Sequence, residues 1–345
     1  MSGARAHKAC VVGSGSWGTA FTGLLAPHVD EVVLWCRSEE VADGVNSNRR
    51  NPRHLTDYEL AENVSATSDA RAALEGCELV VLALPSAHLR STCRSMAEFV
   101  PEDAKVVVLT KGIEPGSHKL MLDVAADELG APERTAVLSG PNHAEEICRH
   151  QVSACVIAAN DPQVAARVQE LVVSPAFRAY VSSDVSGVEV CGAVKNVVAI
   201  ACGVAAGAGA GDNTLAVLMT RGIAEISRIS SALGGDPLTS MGLAGMGDLV
   251  ATCTSRHSRN RTFGEALFAG ESLEHYEART RMVVEGARAA MSVHELALEL
   301  GIEAPITAAV HGVLVDGLDT EAAKAALLGR LPREEFYGMS NPGKE

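Results

Sequence analysis

Aromatic residues are scarce in this chain. Phe, Trp and Tyr together make up 3% of its 345 residues, whereas hydrophobic residues as a whole account for 47%. The core must therefore be built mainly from Val, Leu, Ile and Ala. A single core stops growing at about 250–300 residues, so a chain of this length favours two domains.

Positive charge is also in short supply. The chain has 29 Lys and Arg against 43 Asp and Glu, which gives a net charge of -14. An acidic surface repels nucleic acid and anionic lipid, so neither is expected as a general partner. The local cluster of Arg256, Arg259 and Arg261 is therefore unusual for this chain and calls for an explanation.

The cysteines show no sign of a disulfide framework or a zinc site. They number nine, which is odd, and no two have the C-x-x-C spacing. Together with histidines that lack ligand spacing, this predicts reduced cysteines and no metal. The first fifteen residues, MSGARAHKACVVGSG, lack the apolar length of a signal peptide, and we expect a cytoplasmic location.

Apolar runs of strand length recur in the first half of the chain. Continuous rather than alternating apolar runs indicate strands buried on both faces, hence a parallel-rich sheet with crossover helices. The runs are KACVV, EVVLWC, ELVVLAL, AKVVVLT, TAVLSG, SACVIAA and FRAYVS. Beyond them only helix-like segments follow, at 190–206, 212–233, 260–269, 284–300 and 305–317. We predict an α/β dinucleotide-binding domain of the Rossmann type over 1–183 and an all-α substrate and catalytic domain over 184–345.

The first predicted strand leads into a glycine fingerprint, VVGSGSWGTA, in which Gly13, Gly15 and Gly18 have the G-x-G-x-x-G spacing. These glycines allow a tight turn, close approach of a pyrophosphate, and close packing of helix on strand. A strand precedes the motif and a helix follows it, as dinucleotide binding requires. The alternative is a glycine-rich turn without a ligand.

The second strand ends in LWCRSEE, where an Asp or Glu would bind the ribose of NAD. This chain has Arg37 followed by Ser38, and a guanidinium suits the 2′-phosphate of NADP. Two alternatives stay open: Arg37 could be a solvated strand-end residue, and Glu39 leaves room for NAD. We expect NADPH/NADP as the cofactor, with NADH/NAD possible.

Later strands end in residues that could reach a ligand, since ligands of open α/β sheets bind outside the carboxyl ends of strands. Lys111 follows one strand, and Gly140, Pro141 and Asn142 follow another. Each could equally be a structural loop. Their shared position favours a common cleft.

One charge, Lys195, lies within the otherwise apolar stretch Val190–Gly211. A membrane helix is one interpretation, but a central Lys costs about 2.5–3.5 kcal/mol on insertion scales, and five glycines weaken the helix. We expect no membrane span. The remaining interpretations are a core lysine whose amine extends to water and a catalytic amine with a lowered pKa.

A short segment of the helical half, residues 242–264, is rich in polar groups. Guanidinium, hydroxyl and amide groups together suit a phosphate, although a solvated basic loop is the alternative. The residues are Asp248, Thr252, Ser258, Arg259 and Asn260.

Taken together, these motifs resemble the soluble, bacterial-type NAD(P)-dependent glycerol-3-phosphate dehydrogenases. The matching blocks run in order from residue 13 to residue 290: GSGSWGTA, TKGIE, SGPNHAEE, GVEVCGAVKNVVAIACG, GDNTLAVLMTRGIAEI, GLAGMGDLVATCTSRHSRN and VVEGARAA. The resemblance implies reversible reduction of dihydroxyacetone phosphate to sn-glycerol 3-phosphate for glycerophospholipid synthesis. It also implies a Rossmann domain, a helical domain and a homodimer.

The resemblance also implies roles for individual residues. Cofactor contacts would come from Ser16, Trp17, Arg37, Lys111, Ala144, Arg259, Val283 and Glu285, beside the fingerprint glycines Gly13, Gly15 and Gly18. His54, in the stretch NRRNPRHL, could flank the cofactor, with a surface histidine as the alternative. Substrate contacts would come from Lys111, Gly140, Asn142, Lys195, Asn196, Asp248, Thr252, Ser258, Arg259 and Asn260. The family commonly has Ser or Thr and then an aromatic residue where this chain has Asn142 and His143.

In this interpretation Lys195 is the general acid that protonates the substrate oxygen, and the base in the reverse direction. Lys111 adds positive charge, and Asp248 orients Lys195 or the substrate hydroxyl. Two other functions remain open. One is a related two-domain dehydrogenase of the ketopantoate or 6-phosphogluconate type, which would need a carboxylate clamp. The other is a non-catalytic NADPH sensor.

Overall fold

In the computed structural model the chain is described at residues 5–130, 132–331, 334, 335 and 337, and these residues form two compact units. The first unit comprises the described residues up to Thr110 together with Met121–Val185. The second comprises Lys111–Leu120 together with the described residues from Ser186 onward. The segment that begins at Lys111 therefore leaves the first unit and belongs to the second.

The first unit is built on one eight-stranded sheet in the order β3-β2-β1-β4-β5-β6-β7-β8. All neighbouring strands are parallel except β6 and β7, which are antiparallel. The strands are β1 (Ala6–Val12), β2 (Val29–Trp35), β3 (Val64–Thr67), β4 (Leu79–Leu82), β5 (Lys105–Val108), β6 (Thr135–Ser139), β7 (Ser153–Ala159) and β8 (Phe177–Ser182). The predicted parallel-rich sheet is confirmed.

Helices cover this sheet, as crossover connections between parallel strands require. They are α1 (Ser16–Leu25), α2 (Glu39–Asn48), α3 (Ala70–Leu74), α4 (Ser86–Met96), α5 (Met121–Leu129), α6 (Ala144–Ile147) and α7 (Pro162–Val172), with 3₁₀ turns at Ala97–Phe99 and Pro132–Arg134. Helix α7 shows how local sequence sets a helix start. The Asp161 carboxylate accepts from Gln163 N, and Pro162 occupies the first turn.

The described residues of the second unit form helices and no named strand, which confirms the predicted all-α half. The helices are α8 (Val185–Gly207), α9 (Asp212–Ala232), α10 (Asp248–Thr254), α11 (Arg259–Phe268), α12 (Leu273–Thr280), α13 (Glu285–Glu299), α14 (Pro305–Leu314) and α15 (Thr320–Leu328). A 3₁₀ turn, Pro237–Met241, and a π-helical turn, Leu243–Gly247, precede α10.

Helix α8 is the central element of the second unit. Among the described residues it is the one helix long and apolar enough to cross a membrane, with a mean hydropathy of 1.7. However, 72% of that apolar window is buried inside the protein. Burial of this kind is the property of a core helix, because a helix that is apolar all round must be covered on every side.

Candidate active site

The glycine turn, residues 13–18, connects β1 to α1. Gly13 has φ +116°, and a Cβ there would lie 2.4 Å from the Ala83 carbonyl oxygen. A Cβ on Gly18 would lie 1.9 Å from the Gly13 carbonyl oxygen. Larger residues are therefore excluded at both positions. A Cβ on Gly15 would meet nothing within 4 Å, so the turn is open at that residue.

The N-terminus of α1 is available to an anion. Its N-cap, Gly15, has no side chain that could accept from the first backbone N–H groups, and the first turn contains no acidic residue. Unsatisfied N–H groups and the positive end of the helix dipole attract negative charge. Nearby, the buried Trp17 Nε1 has no hydrogen-bond partner among the described residues. These observations fit a dinucleotide with its pyrophosphate at this turn.

Arg37 follows β2 at the same edge of the sheet. Its side chain is exposed, and no hydrogen bond or ion pair joins it to a described residue. A free guanidinium there can accept a phosphate without first breaking an ion pair. His54 lies in the segment after α2, where its backbone N donates to the side chain of Asn51 at 3.1 Å.

Gly140 directly follows strand β6 and has φ +153°. A Cβ there would lie 2.6 Å from the Ala154 carbonyl oxygen of β7, so glycine is required for packing of the neighbouring antiparallel strand. Asn142 follows, and its buried Nδ2 has no partner among the described residues. An unsatisfied buried donor is costly, and a ligand oxygen would satisfy it. Ala144, also buried, begins α6.

Four polar side chains meet in the second unit, and we call them the lysine cluster: Lys111, Lys195, Asp248 and Thr252. Lys195 Nζ donates to Asp248 Oδ1 at 2.5 Å and to Thr252 Oγ1 at 2.7 Å. Lys111 Nζ donates to Asp248 Oδ2 at 2.7 Å. One carboxylate therefore binds two ammonium groups, one on each oxygen.

Three members of the lysine cluster are almost completely buried, with exposures of 5% for Lys195 and 3% for both Asp248 and Thr252, and the Lys111 side chain is 18% exposed. Thr252 lies one helical turn after Asp248 in α10, and its Oγ1 donates to the Asp248 backbone oxygen at 2.6 Å. That bond leaves the Thr252 oxygen as an acceptor for Lys195. An ammonium has three hydrogens, so Lys195 retains one for a substrate oxygen.

Burial controls the charge state of Lys195. Desolvation lowers the pKa of its amine, repulsion from Lys111 adds to that lowering and Asp248 partly offsets it, so that the pKa lies at about 8. Burial alone would raise the pKa of the Asp248 carboxyl, but attraction from Lys111 and Lys195 holds that pKa below its ordinary value. The arrangement gives an amine that can lose and regain a proton near neutral pH.

Asn196 and Asn260 join helices rather than the lysine cluster. Asn260 Nδ2 donates to Asn196 Oδ1 at 2.9 Å, and Gly286 N donates to Asn260 Oδ1 at 2.9 Å. These bonds connect α8, α11 and the start of α13. Both predicted substrate residues are thus buried linkers, and Val283 and Glu285 lie at the same end of α13.

The three arginines of the predicted cationic cluster, Arg256, Arg259 and Arg261, differ in whether their guanidinium groups have partners. The Arg261 guanidinium is engaged by Glu265 at 3.0 Å and by the Thr254 carbonyl oxygen at 2.9 Å. Ser258 is the N-cap of α11, where its Oγ accepts from Arg261 N. Arg259 is exposed at the first position of α11 and has no hydrogen bond or ion pair to a described residue. Arg256 is also exposed and has no such bond to a described residue, but Arg259 is the one that begins a helix, whose N-terminus also attracts phosphate.

A cavity of about 580 Å³ lies elsewhere in the second unit. Apolar side chains of α8, α9, α14 and α15 line it, including Val204, Leu218, Val310 and Leu327. None of the predicted site residues lines it, and its apolar walls do not suit a charged, phosphorylated substrate.

Comparison with known proteins decides the family. Sequence models described as the N-terminus and the C-terminus of NAD-dependent glycerol-3-phosphate dehydrogenase match residues 8–165 and 184–325. The chain belongs to the NAD-dependent glycerol-3-phosphate dehydrogenase family.

Individual members of this family are similar over nearly their full length. The glycerol-3-phosphate dehydrogenase [NAD(P)+] of Nocardia farcinica is 48% identical over 335 residues, which cover 95% of this chain and 99% of the relative. That of Corynebacterium aurimucosum is 45% identical, covering 94% and 98%. The crystal structure of glycerol-3-phosphate dehydrogenase from Coxiella burnetii superposes with a TM-score of 0.89 at 37% identity, covering 94% of this chain and 99% of that chain.

The similarity of this chain to ketopantoate reductases is limited to the fold. One from Ralstonia eutropha has a TM-score of 0.60 at 18% identity. The fold likeness explains why the sequence alone left this class open as an alternative.

One buried residue near the glycine turn was not predicted. Asn51 lies between α2 and β3, is 0% exposed, and hydrogen-bonds the Ser14 carbonyl oxygen. The available signal was an Asn-Pro pair, which is typical of a turn. That signal carries no information about a contact 37 residues away.

Proposed function

We propose that this chain carries out the reaction of its family with Lys195 as the general acid and base. The family reaction is the reversible, NAD(P)H-dependent reduction of dihydroxyacetone phosphate to sn-glycerol 3-phosphate. The observation that carries the assignment of Lys195 is its buried amine, which is bound to Asp248 and Thr252 and has one hydrogen to spare.

The nicotinamide supplies the hydride that reduces the substrate carbonyl carbon. As negative charge develops on the carbonyl oxygen, Lys195 donates its remaining proton to that oxygen. In the reverse direction the neutral amine removes the hydroxyl proton. The pKa of about 8 suits both steps, because a useful acid–base group titrates near the working pH.

Lys111 and Asp248 act through charge. Lys111 adds a second positive group beside the same carboxylate, which favours a negative oxygen in the transition state. Asp248 holds both amines in place while keeping its own negative charge. Thr252 fixes the direction of the Lys195 hydrogens by accepting one of them.

Phosphate recognition is assigned to the start of α11. Arg259 offers an unengaged guanidinium, and the helix N-terminus adds backbone donors. Ser258 and Asn260 flank it but already hold structural bonds. Arg259 is therefore expected to supply most of the phosphate affinity.

The cofactor is assigned to the first unit, with the glycine turn for the pyrophosphate and Arg37 for a 2′-phosphate. Preference for NADP over NAD, homodimerisation, a cytoplasmic location and supply of phospholipid synthesis remain predictions. Sedimentation of the purified chain would test the dimer.

The central experiment measures loss of NADPH absorbance with dihydroxyacetone phosphate and, separately, with ketopantoate. We expect turnover with the first substrate and none above background with the second. Turnover with ketopantoate alone would refute the proposal, and NADPH binding without any turnover would favour a sensor.

A further inference from the structure

Asn51 is unusually buried for a residue in the connection between helix α2 and strand β3. It lies in the segment RRNPRH, residues 49–54, yet it is 0% exposed. A buried amide is costly unless both its hydrogens and its oxygen have partners. Asn51 Nδ2 donates to the Ser14 carbonyl oxygen and to Thr19 Oγ1, both at 2.8 Å.

The oxygen of the same amide is also fully used. Asn51 Oδ1 accepts from Arg53 N at 2.9 Å and from His54 N at 3.1 Å. One neutral side chain therefore ties the segment 49–54 to the glycine turn and to α1. The arginines of this segment are held by other residues, as in the ion pair between Arg53 and Glu40.

The bond to Ser14 determines the direction of a peptide group. In a planar trans peptide the C=O and the following N–H point in opposite directions. Because Asn51 holds the Ser14 carbonyl oxygen, the Gly15 N–H must point away from Asn51. Gly15 is also the residue at which the glycine turn is open.

We propose that Asn51 is a positioning residue for the dinucleotide: it holds the Ser14–Gly15 peptide so that the Gly15 N–H is available to the pyrophosphate. This inference rests on the cofactor assignment of the proposed function. It predicts equal effects on NADPH and NADH, because both contain the pyrophosphate and Asn51 holds no 2′-phosphate ligand directly.

A matched control is present in the same unit. Asn63 Nδ2 donates to the carbonyl oxygens of Ala26 at 2.9 Å and Val29 at 2.8 Å, so it also bridges backbone groups. It makes no hydrogen bond to a described residue of the glycine turn. If Asn51 were only structural, Asn51→Ala and Asn63→Ala would have the same consequences.

The experiment titrates NADPH and NADH into each purified variant, without substrate, by nicotinamide fluorescence. Asn51→Ala should raise the Kd of both cofactors by about tenfold, the equivalent of one lost hydrogen bond. Its kcat at saturating cofactor should stay within about twofold of wild type, since the lysine cluster is untouched. Asn63→Ala should lower Tm and leave both Kd values unchanged.

A second variant separates the role of the Asn51 amide as a donor from its role as an acceptor. Asn51→Asp keeps the acceptor for Arg53 N and His54 N but has no donor for Ser14 while it is ionised. Burial raises the pKa of such a carboxyl, so its protonated form regains a donor as the pH falls. Its cofactor affinity should therefore recover on going from about pH 8 to about pH 5, unlike that of wild type.

The outcomes are distinct. If the wild-type chain binds neither cofactor, the proposed function fails. If wild type binds but Asn51→Ala retains wild-type Kd values, the positioning role of Asn51 is wrong. Should Asn51→Ala not fold, Asn51→Asp decides: an affinity equal to that of wild type at high pH would also refute the role.

Discussion

The glycine turn of the first unit and the lysine cluster of the second are built from different groups. The turn contains no charged side chain: its shape comes from glycines at positions 13 and 18 and from hydrogen bonds to backbone groups. The lysine cluster places two ammoniums and one carboxylate in the interior. The turn is therefore expected to be insensitive to pH, whereas the lysine cluster is not.

The glycine turn and the lysine cluster also differ in the free energy that their folding costs. Glycines lose much backbone entropy on folding, but they leave no buried charge. A buried ion pair is expensive to desolvate and strongly destabilising when one partner is removed. Such an arrangement favours a role beyond stability, because an apolar cluster of the same volume would fold as well or better.

The largest expected effect is that of Lys195→Ala. Loss of a general acid should reduce kcat by about 10²–10⁴-fold, because the carbonyl oxygen then has no proton donor. NADPH binding should be nearly intact, because Lys195 is not among the predicted cofactor contacts. Steady-state kinetics and a fluorescence titration measure the two quantities. A loss of kcat below tenfold would remove Lys195 from its catalytic role.

Arg37→Asp sharpens the comparison within the first unit. A 2′-phosphate would lose a charge-assisted partner worth about 1.5–3 kcal/mol per bond, so the preference for NADPH over NADH should fall by about ten- to a hundredfold. NADH affinity should change little. An unchanged preference ratio would mean that Arg37 only faces solvent.

Arg259 offers a similar test in the second unit. Arg259→Ala should lower kcat/KM for dihydroxyacetone phosphate by about tenfold or more, and hardly at all for unphosphorylated dihydroxyacetone. Arg259→Lys should recover part of the loss, because Lys keeps the charge but not the bidentate fork. Since Arg259 is also predicted to touch the cofactor, NADPH affinity must be measured alongside. Equal losses for both substrates would locate phosphate binding elsewhere, with Lys111 the next candidate.

The sequence predicted much of the fold because apolar runs record burial directly. Seven predicted runs each overlap a strand, and only β3, four residues long and half-buried, was missed. The antiparallel pairing of β6 and β7 could not be predicted, since an apolar run has the same composition in either direction. The pairing of Lys111 with Asp248 spans 137 residues, and no local pattern records such a contact.

A site residue could be predicted where its polarity differs from that of the neighbouring sequence, and could not be predicted where its polarity is the same. Lys195 was conspicuous as one charge in an apolar helix. Asn51 was not, because Asn before Pro in a polar segment is ordinary turn chemistry. Asn260 was predicted as a substrate ligand, yet its side chain links α8 to α13, a contact that the motif alone does not reveal.

The smallest expected effect is that of changing the pH by one unit, which tests the comparison in the wild-type chain before any substitution is made. The pKa of Lys195 is lowered to about 8 by burial, so the amine is increasingly neutral above that pH. Carbonyl reduction needs the protonated amine and should fall about tenfold per pH unit above the pKa, whereas glycerol 3-phosphate oxidation needs the neutral amine and should rise up to it. Asp248→Asn removes a carboxylate that raises this pKa, so both profiles should move to lower pH. NADPH affinity should stay flat over the same range, because the glycine turn contains no titrating side chain. If kcat/KM for reduction were independent of pH from about 7 to about 10, the proton would have to come from a group other than Lys195, and the contrast between the two regions would be lost.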